Sequence, residues 1–270
     1  MPAVNSDGNV GNLSRRCEDP LAEALRLIDA ASEAKLQVRL LGGLAFHAKV
    51  PSWTARTDRA GRDIDLATRS RDKRALAGLL AAAGYEPDKG YNAVHGYKQL
   101  YFCDPKNGRP IDVLIDRLDM CHEVHFRNRL TADYPTLPLA ELLLSKLQIV
   151  KINKKDILDV LVLLGEYPLA DHDDMAINTR PVIDACAADW GWWRTLTGNL
   201  DLIASYRERD LTLTDVDVGR PPAHDSLAQL RRLRELVDGA PKPIKWKMRA
   251  RIGERVTWYK EPEEVGHEAL

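Results

Sequence analysis

Two aspartates in the first half of this 270-residue chain stand two positions apart, a spacing that can support chemistry. Asp63 and Asp65 lie in residues 62–67, where polar and apolar side chains alternate as in a half-buried strand. Side chains two apart on a strand project from the same face. Neighbouring carboxylates repel each other unless a cation lies between them, and hard divalent ions such as Mg²⁺ accept such oxygen ligands. A solvated strand face is the simpler interpretation of an isolated Asp-x-Asp pair.

A third aspartate, Asp112, lies inside the Ile/Val/Leu-rich run 110–116. Strand interiors contain few aspartates, so an acid within such a run needs a reason. A metal ion supplies one, and a solvated edge strand is the alternative. Asp116 falls on the same strand face by spacing, but it stands at the end of the strand and is the more ordinary of the two.

A glycine pair, Gly42-Gly43, follows a predicted strand at 36–41 and precedes a predicted helix at 44–49. Glycines at such a junction let the backbone approach an anion closely. The helix that follows offers unpaired N–H groups and the positive end of its dipole. Most glycine pairs only make a turn, so this feature indicates a phosphate site only in combination with others.

The elements that must position these residues form a mixed α/β half followed by a helical half. Asp19-Pro20 predicts a helix start, and the turn at 104–108 joins two strands into a hairpin. In the first half, helices are predicted over 20–35, 44–49 and 74–83, and strands over 36–41, 62–67, 97–102 and 110–115. In the second half, helices are predicted over 139–151, 154–164, 179–196, 200–209, 226–237 and 244–256, with no strand beyond Pro168.

This order predicts three parts: a mobile tail at 1–18, an α/β catalytic domain with a mixed sheet at 19–136, and an all-helical domain at 137–270. The helical domain is expected to form the substrate or partner side.

Composition excludes several classes of protein. With 39 Lys+Arg against 40 Asp+Glu, the chain cannot bind nucleic acid by bulk charge. No apolar run approaches the roughly 20 residues of a membrane span, and the polar N-terminus does not resemble a secretion signal. The four cysteines lack CxxC spacing, which indicates reduced thiols rather than disulfides or a zinc site. We therefore expect a cytoplasmic protein with no membrane partner.

One segment departs from this balance. Residues 231–260 hold ten Lys/Arg against three acids, a local surplus of seven positive charges, with Trp246 and Trp258 interleaved. The segment either follows an RNA backbone or forms a solvated helix face that the acidic tail after it balances. A second aromatic group, Trp190, Trp192 and Trp193, is expected to pack in a core or interface rather than stack on a base.

The ordered combination of a glycine pair, an Asp-x-Asp and a later third aspartate resembles the DNA polymerase β-like nucleotidyltransferase superfamily over residues 36–165. Within that superfamily, the run 139–146 (LAELLLSK) followed by 155–159 (KDILD) resembles the AbiEii-type toxin branch. One departure is the 19 residues between Gly43 and Asp63, which exceed the compact spacing of the superfamily.

The resemblance implies a Mg²⁺-dependent transfer of NMP from an NTP donor to an acceptor hydroxyl, with release of pyrophosphate. Asp63 and Asp65 would hold two Mg²⁺ ions with the triphosphate, and Asp112 would complete the metal site that activates the acceptor. Gly42 and Gly43 would cradle the β- and γ-phosphates.

The resemblance also assigns roles in the helical signature. Lys146 matches the lysine of the branch and would be a charge partner of the phosphates, with a solvated helix lysine as the alternative. Asp156 belongs to the same signature, although it and Asp159 can instead make pairs on the helix surface. Arg56 and Arg62, in the loop before Asp63, would contact phosphate or keep that loop solvated.

Three hypotheses for function stay open from the sequence. The first is a toxin-like enzyme that modifies tRNA or protein and has a cognate antitoxin. The second is an adenylyltransferase of the antibiotic-modifying kind with a small-molecule acceptor. The third is a nucleotide-binding or protein-interaction module that has lost catalysis.

Overall fold

The computed structural model describes residues 16–54, 63–106, 108–209 and 222–262. Within these ranges a mixed sheet with helices is followed by a helical half, so the predicted fold class is confirmed. Residues 1–15 of the predicted tail lie outside the described residues, as do Arg56 and Arg62.

Five strands form the main sheet in the order β1-β2-β5-β4-β3. β2 and β5 run parallel, and the other neighbouring pairs are antiparallel. One face of the sheet is apolar and buried, and the other face carries the polar positions of each strand. The strands are β1 (Val38–Leu41), β2 (Ile64–Thr68), β3 (Glu86–Pro87), β4 (Gln99–Cys103) and β5 (Pro110–Ile115).

Helices pack against the sheet. The first begins as the sequence predicts, because the Asp19 side chain accepts the N–H of Ala22 and Pro20 occupies the first turn. It packs on β1 and β2. The helices of this half are α1 (Pro20–Glu33), α2 (Gly42–Lys49), α3 (Pro51–Thr54), α4 (Lys73–Ala82) and α5 (Lys89–His95).

The sequence pattern did not predict several elements of this half: the short helix α3, where the pattern indicates an irregular loop from residue 52, then β3, α5 and a small hairpin of β6 (Arg117–Asp119) and β7 (Glu123–His125). The strands have two or three residues, too few to show alternation. Helix α5 buries none of its side chains, so it has no apolar periodicity to detect.

The second half consists mainly of helices that pack on one another. They are α6 (Leu139–Leu147), α7 (Lys154–Glu166), α8 (Thr179–Ala188), α9 (Trp190–Arg209), α10 (Ser226–Gly239) and α11 (Ile244–Ile252), followed by a 3₁₀ turn at Gly253–Arg255. None of the helices in the described part of the chain is both long enough and apolar enough to cross a membrane.

Two predictions for this half are wrong. The break predicted between 196 and 200 falls instead at Asp189, whose extended backbone ends α8 and whose carboxylate accepts the Trp192 N–H at the start of α9. The absence of strands after Pro168 is also wrong, because β8 (Leu169–Ala170) pairs in parallel with β9 (Ile177–Asn178). Each of these strands has only two residues, below the length that a sequence pattern reveals.

The junction between the two halves lies along the outer edge of β1. The Leu40 N–H donates to the Pro135 carbonyl at 2.9 Å, and the Leu137 N–H donates to the Leu40 carbonyl at 2.8 Å. The crossing segment therefore covers an edge that would otherwise be open to pairing. Helix α6 follows at once and packs against α2. The domain boundary at 136/137 stays a prediction.

A buried ion pair also ties the halves together. Arg129, after β7, donates to the Glu141 carboxylate of α6 at 2.7 Å and to Asp173 at 3.0 Å. Glu141 is only 2 % exposed. Burial raises the pKa of Glu141 even though the hydrogen bonds from Arg129 oppose that rise.

We expect Arg129→Met to lower the free energy of unfolding by about 3 kcal/mol, because it leaves the buried Glu141 carboxylate without its cation. Urea unfolding measures this change. The matched control is Arg232→Met, which removes an exposed pair with Glu235 and should change stability by less than about 0.5 kcal/mol. Equal losses in the two variants would contradict the role of burial.

Candidate active site

Two aspartates meet on the polar face of the sheet. Asp65 of β2 and Asp112 of β5 are direct partners in the parallel register, and Leu41 at the end of β1 is the partner of Asp65 on its other side. Residues in register on neighbouring strands project from the same face, so the two carboxylates lie side by side. The structure therefore brings together one member of the Asp-x-Asp and the third aspartate.

Asp63 lies at the rim of this pair. It precedes β2, is exposed, and is close enough for its charge to act on Asp65. Among the described residues, however, no group of three or more His, Cys, Asp or Glu side chains is gathered closely enough to hold a metal ion. Mg²⁺ is commonly held by one or two carboxylates together with substrate phosphates. The pair Asp65–Asp112 fits that chemistry without a closed triad.

The electrostatics of Asp65 are those of an acid that lacks a counter-charge. Burial raises the pKa of Asp65, and the negative charges of Asp112 and Asp63 raise it further. The positive charge of Lys146 opposes this rise, and the resulting pKa is about 7. A divalent cation between the carboxylates would reverse this repulsion.

The glycine pair beside Asp65 divides into two different positions. Gly42 has φ +67°, and a Cβ placed on it would overlap the Asp65 carboxylate. Glycine is therefore required at this position both by the backbone conformation and by the close approach to Asp65. Gly43 is exposed with open space around it, at the start of α2, where no side chain caps the helix. The first N–H groups of α2 thus face an accessible approach.

A cavity of about 540 Å³ opens against the two aspartates, a volume that suits a small ligand or the end of a larger one. Its wall is mixed: besides Asp65 and Asp112, it contains the acids Asp119 and Glu261 and the aromatic and cationic residues Tyr91, Tyr97, Lys98, Arg117 and Lys260. The C-terminal segment forms part of this wall, since the Lys260 ammonium lies 2.8 Å from Asp119 and 2.8 Å from Glu123.

Lys146 is held by acids of the next helix. Its Nζ lies 2.7 Å from Asp156 and 3.1 Å from Asp159, and 5.3 Å from the ring centre of Phe46 on α2. Burial opposes the charge, but the two carboxylates more than compensate and raise the pKa of Lys146. Asp156 and Asp159 are buried, not surface pairs. The structure thus pairs two predicted phosphate-site residues with each other, and their contact with phosphate stays a prediction.

Tertiary ion pairs neutralise part of the basic segment 231–260. Arg231 lies 2.8 Å from Glu208, Arg234 lies 2.6 Å from Asp201, and Lys260 lies 2.8 Å from Asp119. The local surplus of charge is therefore smaller in the folded chain than in the sequence.

The tryptophans pack as predicted. Trp190 and Trp192 are buried, and the Arg249 guanidinium lies 4.5 Å from the ring centre of Trp190. Trp193 donates its indole N–H to Asp238 at 2.8 Å. These side chains therefore hold α9, α10 and α11 together.

The sequence did not point to Gln99, whose side-chain amide binds Asp112. In the predicted strand it alternates with the apolar Leu100 and Phe102, which indicates that it faces away from the core. The partner of its amide depends on the pairing of β4 with β5 in space, which the pattern does not give.

No family model matches this sequence, and no curated protein matches it either. Among solved structures, the chain is similar to the STING-associated CdnE c-di-GMP synthase from Capnocytophaga granulosa. The two share 15 % sequence identity over 85 % of this chain and 83 % of that chain, with a TM-score of 0.24. Values this low establish neither the family nor the activity of this chain.

The glycine pair gives a matched test of the site geometry. We expect Gly42→Ala to lower the free energy of unfolding by about 2 kcal/mol or more, because alanine is strained at positive φ and its methyl group meets Asp65. Gly43→Ala should leave stability unchanged or raise it slightly, since alanine favours the helix. Urea unfolding measures the free energy of unfolding of the two variants. Equal changes in that free energy would contradict the close approach of Gly42 to Asp65.

The charge state of Asp65 predicts a pH dependence in metal-free protein. Its pKa of about 7 lies above the ordinary 3.8, so the folded state binds more protons between these values and stability falls as pH rises through this window. We expect Asp65→Asn to raise stability at pH 8 by up to about 4 kcal/mol and to flatten this decline.

Thermal unfolding in EDTA from pH 5 to pH 8 measures the effect, with Asp116→Asn as the control. If the stability of the wild type and of Asp65→Asn changes with pH in the same way, the pH dependence does not arise from Asp65.

Proposed function

We propose that this chain is a Mg²⁺-dependent nucleotidyltransferase of the DNA polymerase β-like superfamily. It transfers NMP from an NTP to an acceptor hydroxyl and releases pyrophosphate. The observation that supports this most is the in-register pairing of Asp65 with Asp112, beside the close approach of Gly42 and at the wall of a cavity.

The donor site is proposed between the acids and α2. Asp63, Asp65 and Asp112 supply the carboxylates for two Mg²⁺ ions, with Asp65 and Asp112 as the central pair. When bound, Mg²⁺ neutralises the triphosphate and stabilises the negative charge that collects on the leaving pyrophosphate. The open N–H groups at Gly43 and the start of α2 bind phosphate oxygens, for which a helix N-terminus is well suited.

The acceptor enters the cavity next to Asp112. Its hydroxyl oxygen attacks the α-phosphorus, the bond from that phosphorus to the α–β bridging oxygen breaks, and pyrophosphate leaves with the electron pair. The acceptor proton passes to Asp112, which acts as the general base. Lys146 contributes through its charge, which favours the ionised form of Asp65.

For the acceptor class we propose a tRNA end or a protein, with a cognate antitoxin as a partner, on the resemblance to the AbiEii-type toxin branch. The cationic and aromatic groups of the cavity wall support an acceptor with anionic and aromatic parts. The rival acceptor, a small cationic drug, is favoured by the acids that line the same cavity, Asp65, Asp112, Asp119 and Glu261.

Incubation with each α-labelled NTP and Mg²⁺ tests the activity, using total tRNA, the protein itself or aminoglycosides as acceptors. We expect Asp112→Asn to reduce label transfer by about 100-fold or more, because it removes both a metal ligand and the base. EDTA should abolish transfer.

Asp116→Asn is the matched control. Asp116 follows β5 with φ +64° and accepts the Ser70 N–H at 3.0 Å, a conformation that asparagine also tolerates. It should retain wild-type transfer. Equal labelling by wild type and Asp112→Asn would refute the proposed enzyme and favour a binding module without catalysis.

A further inference from the structure

We propose that Gln99 is a positioning residue that fixes the carboxylate of Asp112, an inference that rests on the proposed function. The Gln99 side-chain N–H₂ donates to Asp112 Oδ1 at 2.5 Å. Both residues line the cavity. Gln99 therefore acts on the third carboxylate from inside the same site.

The sheet delivers this amide from a rigid element. β4 and β5 are antiparallel, with Tyr101 opposite Asp112 and Gln99 opposite Leu114. Gln99 is thus the diagonal neighbour of Asp112 on the polar face, within reach of a long side chain. The backbone of both strands is fixed by the ladder between them. The position of the amide is consequently set by the strand register and not by a loop.

A neutral donor is the appropriate group at this position. Asp112 stands in register beside Asp65, so two negative charges already lie next to each other. Lysine or arginine at position 99 would compete with a metal ion for the carboxylate, and glutamate would add a further negative charge. An amide orients Asp112 through one oxygen and leaves the total charge of the site unchanged. Carboxylates that bind metal ions are commonly held by such hydrogen bonds.

A hydrogen bond within a sheet can also have only a structural role, so the test must measure metal binding directly. Mn²⁺ serves as the probe, titrated into the full-length protein without nucleotide and followed by electron paramagnetic resonance. We expect Gln99→Leu, which keeps the size but removes the donor, to weaken Mn²⁺ binding by about 10-fold with an unchanged thermal midpoint.

The control variant is Gln37→Leu. Gln37 precedes β1, and its side-chain oxygen is buried without a hydrogen-bond partner. Its replacement should leave Mn²⁺ affinity at the wild-type value. If Gln99→Leu unfolds, Gln99→Met, which also keeps the size and removes the donor, is measured in its place, with the same expected loss of affinity.

A double-mutant cycle shows whether Gln99 acts through Asp112. In an Asp112→Asn background, Gln99→Leu should have little further effect on Mn²⁺ affinity, whereas additive losses would overturn the inference. Unchanged affinity in Gln99→Leu, in a protein that transfers NMP, would overturn the role of Gln99 and leave the enzyme standing. If Mn²⁺ affinity depends on Gln99 but the protein transfers no NMP, the proposed enzymatic activity is refuted and the role of Gln99 in positioning Asp112 stands.

Discussion

The repulsion between Asp65 and Asp112 is the constraint on which the site depends. The strand ladder holds the two carboxylates as direct neighbours, and the pKa of Asp65 rises to about 7 as a result of burial and of this charge. Such a shift opposes folding by roughly 4 kcal/mol for the ionised acid. The opposite face of the same two strands offsets it, because its apolar side chains are fully buried and contribute about 2 kcal/mol each. These side chains are Ile64, Leu66, Ile111 and Val113. The core therefore maintains an unfavourable charge arrangement that a cation would relieve.

The helical half takes part in this arrangement through Lys146. Asp156 and Asp159 of α7 fix its ammonium, which lies over the ring of Phe46 in α2, the helix that begins beside Asp65. Among the described residues Lys146 forms ion pairs with Asp156 and Asp159 and none with Asp65, so it acts on Asp65 through its electric field. Its effect on the pKa of Asp65 is correspondingly smaller than those of burial and the two aspartates. The sheet and the helices thus set the charge of the site jointly.

Patterns with a local cause could be predicted from the sequence. The alternation of polar and apolar residues predicts β2, and the turn at 104–108 predicts the hairpin of β4 and β5. The glycine pair stands where the backbone has a positive φ at Gly42. Pairing in space had no local signal. Nothing in the sequence states that Asp65 and Asp112 share a register, or that Lys146 is bound by acids ten and thirteen positions later, because i,i+4 rules stop at the end of a helix. The break between α8 and α9 at Asp189 lacks a sequence signal for a different reason. The apolar periodicity continues through Asp189, and only the capping role of this residue marks the end of one helix and the start of the next.

The charge of the C-terminal segment shows the same limit and bears on the acceptor. Counted along the sequence, 231–260 is strongly basic, but Arg231 and Arg234 are paired with acids of α9 that a local window does not include. Among the described residues of 231–260, the cationic side chains that form neither an ion pair nor a hydrogen bond are Lys245, Lys247, Arg251 and Arg255, all on α11 or the turn after it. Five residues lead from Arg255 to Lys260 at the cavity wall, a span of at most about 17 Å. A polyanionic acceptor with its end at Asp112 would therefore need only a short length of backbone to reach Arg255, whereas a small acceptor would leave this cation unused.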